Sequence, residues 1–323
     1  MKSFAFATLA AAVTALNNTE FEYMQYVAKF NKASNSVDEF AMRLTNFQET
    51  SDFITEQNES NDTHVAGHNQ FSDWTFAEYK AILGYRRSES NTKDRVQIFE
   101  ETNVASVNWV TAGAVGAVKD QGQCGSCWAF SSTGSLEGAH FIATGELLSF
   151  SEQQLVDCAY RKYGNYACNG GLQTNAYHYY EAGNDAELES VYPYAGKKQS
   201  CQYDSLSKTA VTVSTYVDVT PNNSTQMKAA LTKQPLAVAI EADKRVFQTY
   251  KSGVLSGSKC GTSLDHAVLA VGFGNDSASG LDYWLVKNSW NTVWGDQGYI
   301  KLAMNDSAGT CGVQADPQGV TTN

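Results

Sequence analysis

All seven cysteines of this 323-residue chain lie at position 124 or later, and 23 of its 25 glycines lie after residue 102. Residues 17 to 85 contain neither cysteine nor proline. That break divides the chain into a segment held by helix packing alone and a turn-rich segment. In the first, Phe21, Met24, Val27, Ala28 and Phe30 recur near helical spacing, as do Phe40, Leu44, Phe47 and Ile54, so helices are expected. Asp73 to Tyr85 is expected to add a short helix with Asp73 in a capping position. Arg86 to Thr102 is polar, lacks apolar periodicity and reads as an exposed linker.

The second segment changes character along its length. Cys127 to Ala143 predicts one long helix, interrupted in composition by Gly134 and Gly138. Ser151 to Val156 looks like another helix start, with Ser151 as N-cap and Gln154 three residues on. From Thr209 onward, Val211–Val213, Leu236–Ile240, Ala267–Val271 and Tyr283–Val286 are β-prone runs bounded by turn residues. Helices followed by strands predict an α+β protein with two subdomains, and a cleft between them is the expected place for a site.

The first residues carry an address. Lys2, the apolar run Phe4 to Ala15 and the small residues Val13-Thr14-Ala15 read as a secretory signal covering 1–15, cleaved after Ala15. The expected location is therefore the secretory pathway, in a lysosome or digestive vacuole or outside the cell. That oxidising route permits disulfides, and an odd cysteine count leaves one thiol over, which flags a reactive residue. Asn-x-Ser/Thr sequons at Asn17, Asn58, Asn61, Asn222, Asn223, Asn275 and Asn305 are compatible with it. A net charge of −11 without a Lys/Arg cluster argues against nucleic acid as a partner. No internal run is long and apolar enough to predict a membrane span.

The most specific string is Gln121-Gly-Gln-Cys-Gly-Ser-Cys127-Trp128. A cysteine nucleophile works as the thiolate, which is favoured at a helix N-terminus and beside a histidinium. Cys127 opens the predicted helix, where the macrodipole favours an anion. Gln121 is placed to offer an amide donor to an oxyanion. Cys124 and Cys127 also form a Cys-x-x-Cys. A redox pair would need a βαβ setting, which is missing, and a zinc site would need a second ligand pair, which does not follow. Two structural cysteines remain an alternative on the string alone. His266, 139 positions after Cys127, stands beside a β-prone run, where a histidine is either structural or a general base. Asn288, in Lys287-Asn-Ser-Trp290, would in isolation be a turn residue.

Together these segments resemble the papain family of cysteine proteases, which includes the cathepsins. The resemblance reaches into the first segment. Glu39, Arg43, Phe47, Ile54 and Asn58 keep the spacing of the family's helical ERFNIN motif, with Thr50 where its first Asn is expected. Gly67-His-Asn69-Gln-Phe71-Ser-Asp73 matches its Gly-x-Asn-x-Phe-x-Asp motif, and both are similar to cathepsin L-like proenzymes. Ser151 to Cys158, Cys168-Asn-Gly-Gly171 and Tyr192-Pro-Tyr194 follow in family order. Departures are Asn291 where Gly usually follows Trp290, Asn108 where Asp usually precedes Trp109, and the stretch beginning at Gly183.

The resemblance implies a papain-like fold, a helical subdomain plus a β-barrel-like one, behind a helical prodomain over 16–102, with the peptidase domain over 103–323. It implies a Cys127–His266–Asn288 site with Gln121 and the Cys127 N–H holding the oxyanion, and with Trp290 shielding the His–Asn bond. Gly170, Gly171, Leu172, Gln173, Ala239, Leu264, Ala267, Trp290 and Asp316 are the implied substrate-binding residues, Asp316 at the bottom of the S2 pocket. The implied disulfides are Cys124–Cys168, Cys158–Cys201 and Cys260–Cys311, with Cys127 unpaired. The expected partners are protein and peptide substrates and the chain's own propeptide as inhibitor. That propeptide is expected to lie in the cleft opposite to substrate direction and to loosen in acid as carboxylates such as Glu39 and Asp73 lose charge. No metal or cofactor is implied, and a monomer is expected. An inactive, binding-only homologue is the alternative.

Overall fold

Helix periodicity in the first segment becomes two long helices in the computed structural model, which describes residues 18–86, 95–203, 211–257 and 259–322. The expected signal segment, the Asn17 sequon and residues 87–94 of the linker lie outside the described residues. Helices α1 (Asn18–Lys29) and α2 (Val37–Glu59) pack through Tyr23, Tyr26 and Phe47. Ser36 caps α2 by accepting the Glu39 N–H, satisfying one of its unpaired donors.

Asp73 is not the cap of the third helix. α3 (Phe76–Ala81) begins at Thr75, which exchanges a capping box with Glu78. Asp73 is instead buried and accepts from the Tyr26 hydroxyl and the Lys32 ammonium, both at 3.1 Å. Arg43 forks onto Glu78 at 2.7 and 2.6 Å and so ties α2 to α3. Between α2 and α3 runs β1 (His64–Ala66), a strand the helical pattern did not suggest.

The second segment forms the helical and sheet subdomains. α4 (Cys127–Thr144) is buried from Cys127 to His140. Its glycines mark close packing: a Cβ on Gly134 would stand 2.9 Å from the Leu269 side chain. α5 (Glu152–Cys158) starts on a Ser151 cap that accepts from Gln154 N–H, and α6 (Gln173–Glu181) completes this side. The described strands in chain order are β2 (Val96–Gln97), β3 (Val107–Asn108), β4 (Val213–Val219), β5 (Leu236–Ile240), β6 (Tyr250–Leu255), β7 (His266–Asn275), β8 (Asp282–Lys287), β9 (Tyr299–Ala303) and β10 (Gln318–Thr322). Two helices lie among them, α7 (Ser224–Leu231) and α8 (Arg245–Gln248).

The sheet runs β1-β6-β9-β8-β7-β5-β10-β4-β2, with β3 on β7. It is an open path, so the barrel-like subdomain is not closed. Its two outer strands, β1 from the first segment and β2 from the linker, both come from before residue 103, so the residues ahead of it form both edges of the sheet. The disulfides join Cys124 to Cys168, Cys158 to Cys201 and Cys260 to Cys311, and Cys127 is a free thiol. Among the described residues no helix is long and apolar enough to cross a membrane.

Candidate active site

The two subdomains meet where α4 begins and β7 begins. Cys127 is the first residue of α4, so its own N–H stands at the helix end that lacks intrahelical acceptors. Its Sγ accepts the Ala267 N–H at 3.4 Å, which places the sulfur against the start of β7. His266, just before Ala267, is fully buried. Its Nε2 lies 2.8 Å from Asn288 Oδ1, and that oxygen also accepts the Ser289 N–H at 2.8 Å. An amide oxygen can only accept, which fixes the tautomer: Nε2 carries the proton and Nδ1, which has no partner, is left as an acceptor. Trp290 stacks on the imidazole at 4.6 Å.

Gln121 is oriented by the same stretch of chain. Its Oε1 accepts from Ser289 Oγ at 2.7 Å and Trp290 Nε1 at 3.1 Å, which turns its NH₂ outward. Asn291, the unusual residue after Trp290, has φ 60, a left-handed conformation that asparagine tolerates better than most residues. Asn108 also keeps a local role, its Oδ1 accepting the Val110 and Thr111 N–H groups.

The cleft is filled by residues 82–86 of the first segment. Gln121 Nε2 donates to the Ile82 carbonyl at 2.8 Å, and Gly84 N–H donates to Cys127 Sγ at 3.3 Å. Tyr85 pairs with Gly171 in parallel: Gly171 N–H bonds the Gly84 carbonyl at 2.9 Å and Arg86 N–H bonds the Gly171 carbonyl at 3.0 Å. A Cβ on Gly170 would meet the Gly84 carbonyl at 2.8 Å, so this wall too lies against the segment. The Tyr85 hydroxyl donates to Asp316 Oδ2, while Gln318 Nε2 holds Oδ1 at 2.7 Å. Leu172, Ala239, Leu264 and Ala267 belong to the apolar cluster that includes Tyr85. Gln173 is buried with its amide donating to Val238 O and Ser131 Oγ, so its polar end is committed to the core.

Burial under this segment sets the protonation state. It pushes the Cys127 thiol up to about 12, against the backbone donors Ala267, Gly84 and Trp128 that favour the thiolate. The same burial brings His266 down to about 4. The thiolate expected from the helix N-terminus is therefore reversed while the cleft is filled, and both groups are neutral.

Ile82, Gly84, Tyr85, Ser289 and Gln318 were not singled out from sequence. Only Gly84 carried a signal, as the sole glycine between Gly67 and Gly113.

A profile of the papain family cysteine protease matches residues 104–321, and one of the cathepsin propeptide inhibitor domain matches residues 23–79. The chain belongs to the papain family. It is 40% identical to digestive cysteine proteinase 1 of Homarus americanus over 98% of both chains. It is also 40% identical to cathepsin L of Sarcophaga peregrina, over 96% of this chain and 95% of that one. The structure of digestive procathepsin L2 from Tenebrio molitor larval midgut superposes with a TM-score of 0.86 at 32% identity, covering 94% of this chain and 99% of that one. The chain is thus a papain-family cysteine protease in its zymogen form, similar to cathepsin L proenzymes, and the residues that follow its inhibitor domain lie in its own cleft.

Proposed function

We propose that the mature protease hydrolyses peptide bonds through Cys127, His266 and Asn288, by way of an acyl-enzyme. What carries the reading is the sulfur of Cys127 at the head of α4, against β7, where a fixed tautomer leaves His266 Nδ1 as a free acceptor. Once residues 82–86 leave, water and the helix terminus favour the thiolate again, and the proton passes to His266. The sulfur attacks the substrate carbonyl carbon and the S–C bond forms. The oxygen takes its charge against Gln121 Nε2 and the Cys127 N–H. His266 protonates the leaving nitrogen as the C–N bond breaks. It then takes a proton from the water that attacks the thioester carbonyl; the C–S bond breaks, the acid product leaves, and the thiolate and protonated His266 are restored.

The prosegment resists this chemistry because it offers the sulfur an N–H. The carbonyl held by Gln121 belongs to Ile82, two residues from the Gly84 amide at the thiol. In this reading a substrate runs the other way along Gly170–Gly171. Asp316 is the pocket-bottom residue that reads the P2 side chain, taking apolar residues and also arginine or lysine. The chain is made for the secretory pathway and acts in a lysosome, a digestive vacuole or outside the cell, where acid releases the prodomain.

The test is labelling by an epoxide thiol reagent. The acid-activated protein should take one equivalent, mapped to Cys127, while the full-length protein at neutral pH should take little. Labelling that ignores activation, or a label on another cysteine, would overturn the reading.

A further inference from the structure

The linker ahead of the peptidase domain is not simply exposed. Residues 95–99 are bound along its outer edge. β2 pairs in parallel with β4, Val96 opposite Asp218 and Gln97 opposite Val219, and the Asp218 N–H donates to the Arg95 carbonyl at 3.0 Å. The Arg95 guanidinium lies 4.3 Å over the Tyr216 ring, is 3.2 Å from Thr215 Oγ1 and pairs with Glu181. Four residues on, the Gln226 amide grips the Phe99 backbone from both sides. Phe99 N–H donates to Gln226 Oε1 at 2.8 Å, and Gln226 Nε2 donates to the Phe99 carbonyl at 3.0 Å. The Phe99 ring packs on the core cluster of the sheet, whereas Ile98 between the anchors is 73% exposed.

These contacts have the form of peptide recognition. A carboxylate with an aromatic face reads a cation, a strand edge reads backbone, and an amide 8% exposed reads one particular peptide unit. From 98 to 106 the chain has no regular structure, and 100, 101 and 103–106 are exposed, until β3 begins at Val107. Between two anchored stretches this is the open place for a cut. A cut there severs residues 95–99 from the mature N-terminus and leaves them held by non-covalent contacts alone. When they leave, the Glu181 carboxylate and the Gln226 amide lose the groups they hold, and groups of this kind favour a replacement of the same form.

We propose that this edge, Glu181 and Tyr216 at one end and Gln226 at the other, is a second, non-catalytic peptide site of the mature protease. Its ligand is an extended segment of a protein substrate with arginine followed four residues later by an aromatic residue. None of these side chains takes part in the catalytic cleft, so binding here tethers a substrate without adding to the chemistry.

The experiment uses acid-activated protease with its thiol alkylated, and a fluorescent peptide Arg-Val-Gln-Ile-Phe-Glu-Glu, the sequence of residues 95–101. The mature N-terminus is sequenced first and is expected between residues 100 and 107. The peptide should bind saturably, unaffected by filling the catalytic cleft. Replacing its arginine by alanine should weaken it at least about tenfold, as expected for a charged hydrogen bond. Glu181→Gln in the protease should do the same while leaving kcat/KM on dipeptide substrates unchanged. Three results overturn the proposal: an N-terminus at or before Arg95; no saturable binding up to about 1 mM; or binding that is indifferent to the peptide's arginine, a change that cannot disturb the protease fold.

Discussion

The backbone amide of Gly84 points at the sulfur of Cys127, 3.3 Å away. A substrate must present a carbonyl carbon at that sulfur, whereas the prosegment presents a hydrogen-bond donor. This contact depends on how closely the prosegment backbone can pass at the glycine.

A side chain at position 84 should therefore break latency. A Cβ there would stand 2.0 Å from the Gly125 carbonyl oxygen, a backbone atom that cannot swing aside. Overpacking of this kind costs about 1–3 kcal/mol, or roughly 5- to 150-fold in affinity. Gly84→Val should make the full-length protein hydrolyse a dipeptide substrate at neutral pH. An unchanged zymogen would refute the close-approach account.

Cys127→Ser should keep the fold and disulfides but lose nearly all turnover, by several orders of magnitude, because a hydroxyl is not ionised in this setting. Circular dichroism checks the fold and single-turnover assays check the chemistry. Comparable activity in the purified variant would remove Cys127 from its role.

Gln121→Ala should lower kcat about 10²- to 10³-fold, the usual effect of removing an oxyanion donor. The variant should also bind the free prodomain more weakly, because the same amide holds the Ile82 carbonyl. A loss of prodomain affinity without loss of kcat would assign Gln121 to latency alone.

Acid release should draw on histidines, and not on Glu39 or Glu78. Glu78 is held down to about 2 by Arg43, and Glu39 is also lowered, by the Asn35 N–H first, so both stay charged through mild acid. His68 is brought down to about 4 by burial beside Phe47, with Glu22 and Lys29 acting on it in opposite directions. His64 is lowered too, by burial, against the opposing pull of Asp62, and it lies 6.3 Å from the Tyr250 ring of the peptidase domain. A histidine lowered in the folded state contributes stability that is whole above about 6.5 and is lost as pH falls toward 4. His68→Phe should shift the activation midpoint to lower pH by roughly one unit. A midpoint that stays put would return the trigger to other groups.

Asp316→Ala should change the ratio of kcat/KM for Phe-Arg and Arg-Arg substrates, with the arginine substrate losing more. Its carboxylate is buried and directed at the Tyr85 hydroxyl, so tyrosine at P2 should also lose ground to phenylalanine in the variant. If neither ratio moves, Asp316 does not read P2.

Most of the architecture was legible because period and capping speak locally. Leu236–Ile240 and the Ser151 cap fall where the pattern puts them. What escaped depends on distant partners. β1 is three residues long and exists because β6, nearly 190 positions later, accepts it, His64 opposite Gly253. Asp73 lost the helix cap to Thr75 because Tyr26 and Lys32 claim its carboxylate. The polar linker concealed anchors whose other halves, Glu181 and Gln226, lie far along the chain. His68 was legible as a motif residue, but its titration follows from burial that no spacing reveals.

The short run from Asn288 to Trp290 has a further meaning. One end steadies the imidazole, and the rest fixes the carbonyl oxygen of the Gln121 amide. In the mechanism proposed above, the proton-moving and charge-accepting halves of the site thus hang from a single bracket. Neither can be retuned alone by changes in that loop, so variation in rate should arise elsewhere in the chain, and variation at these three positions should be all or nothing.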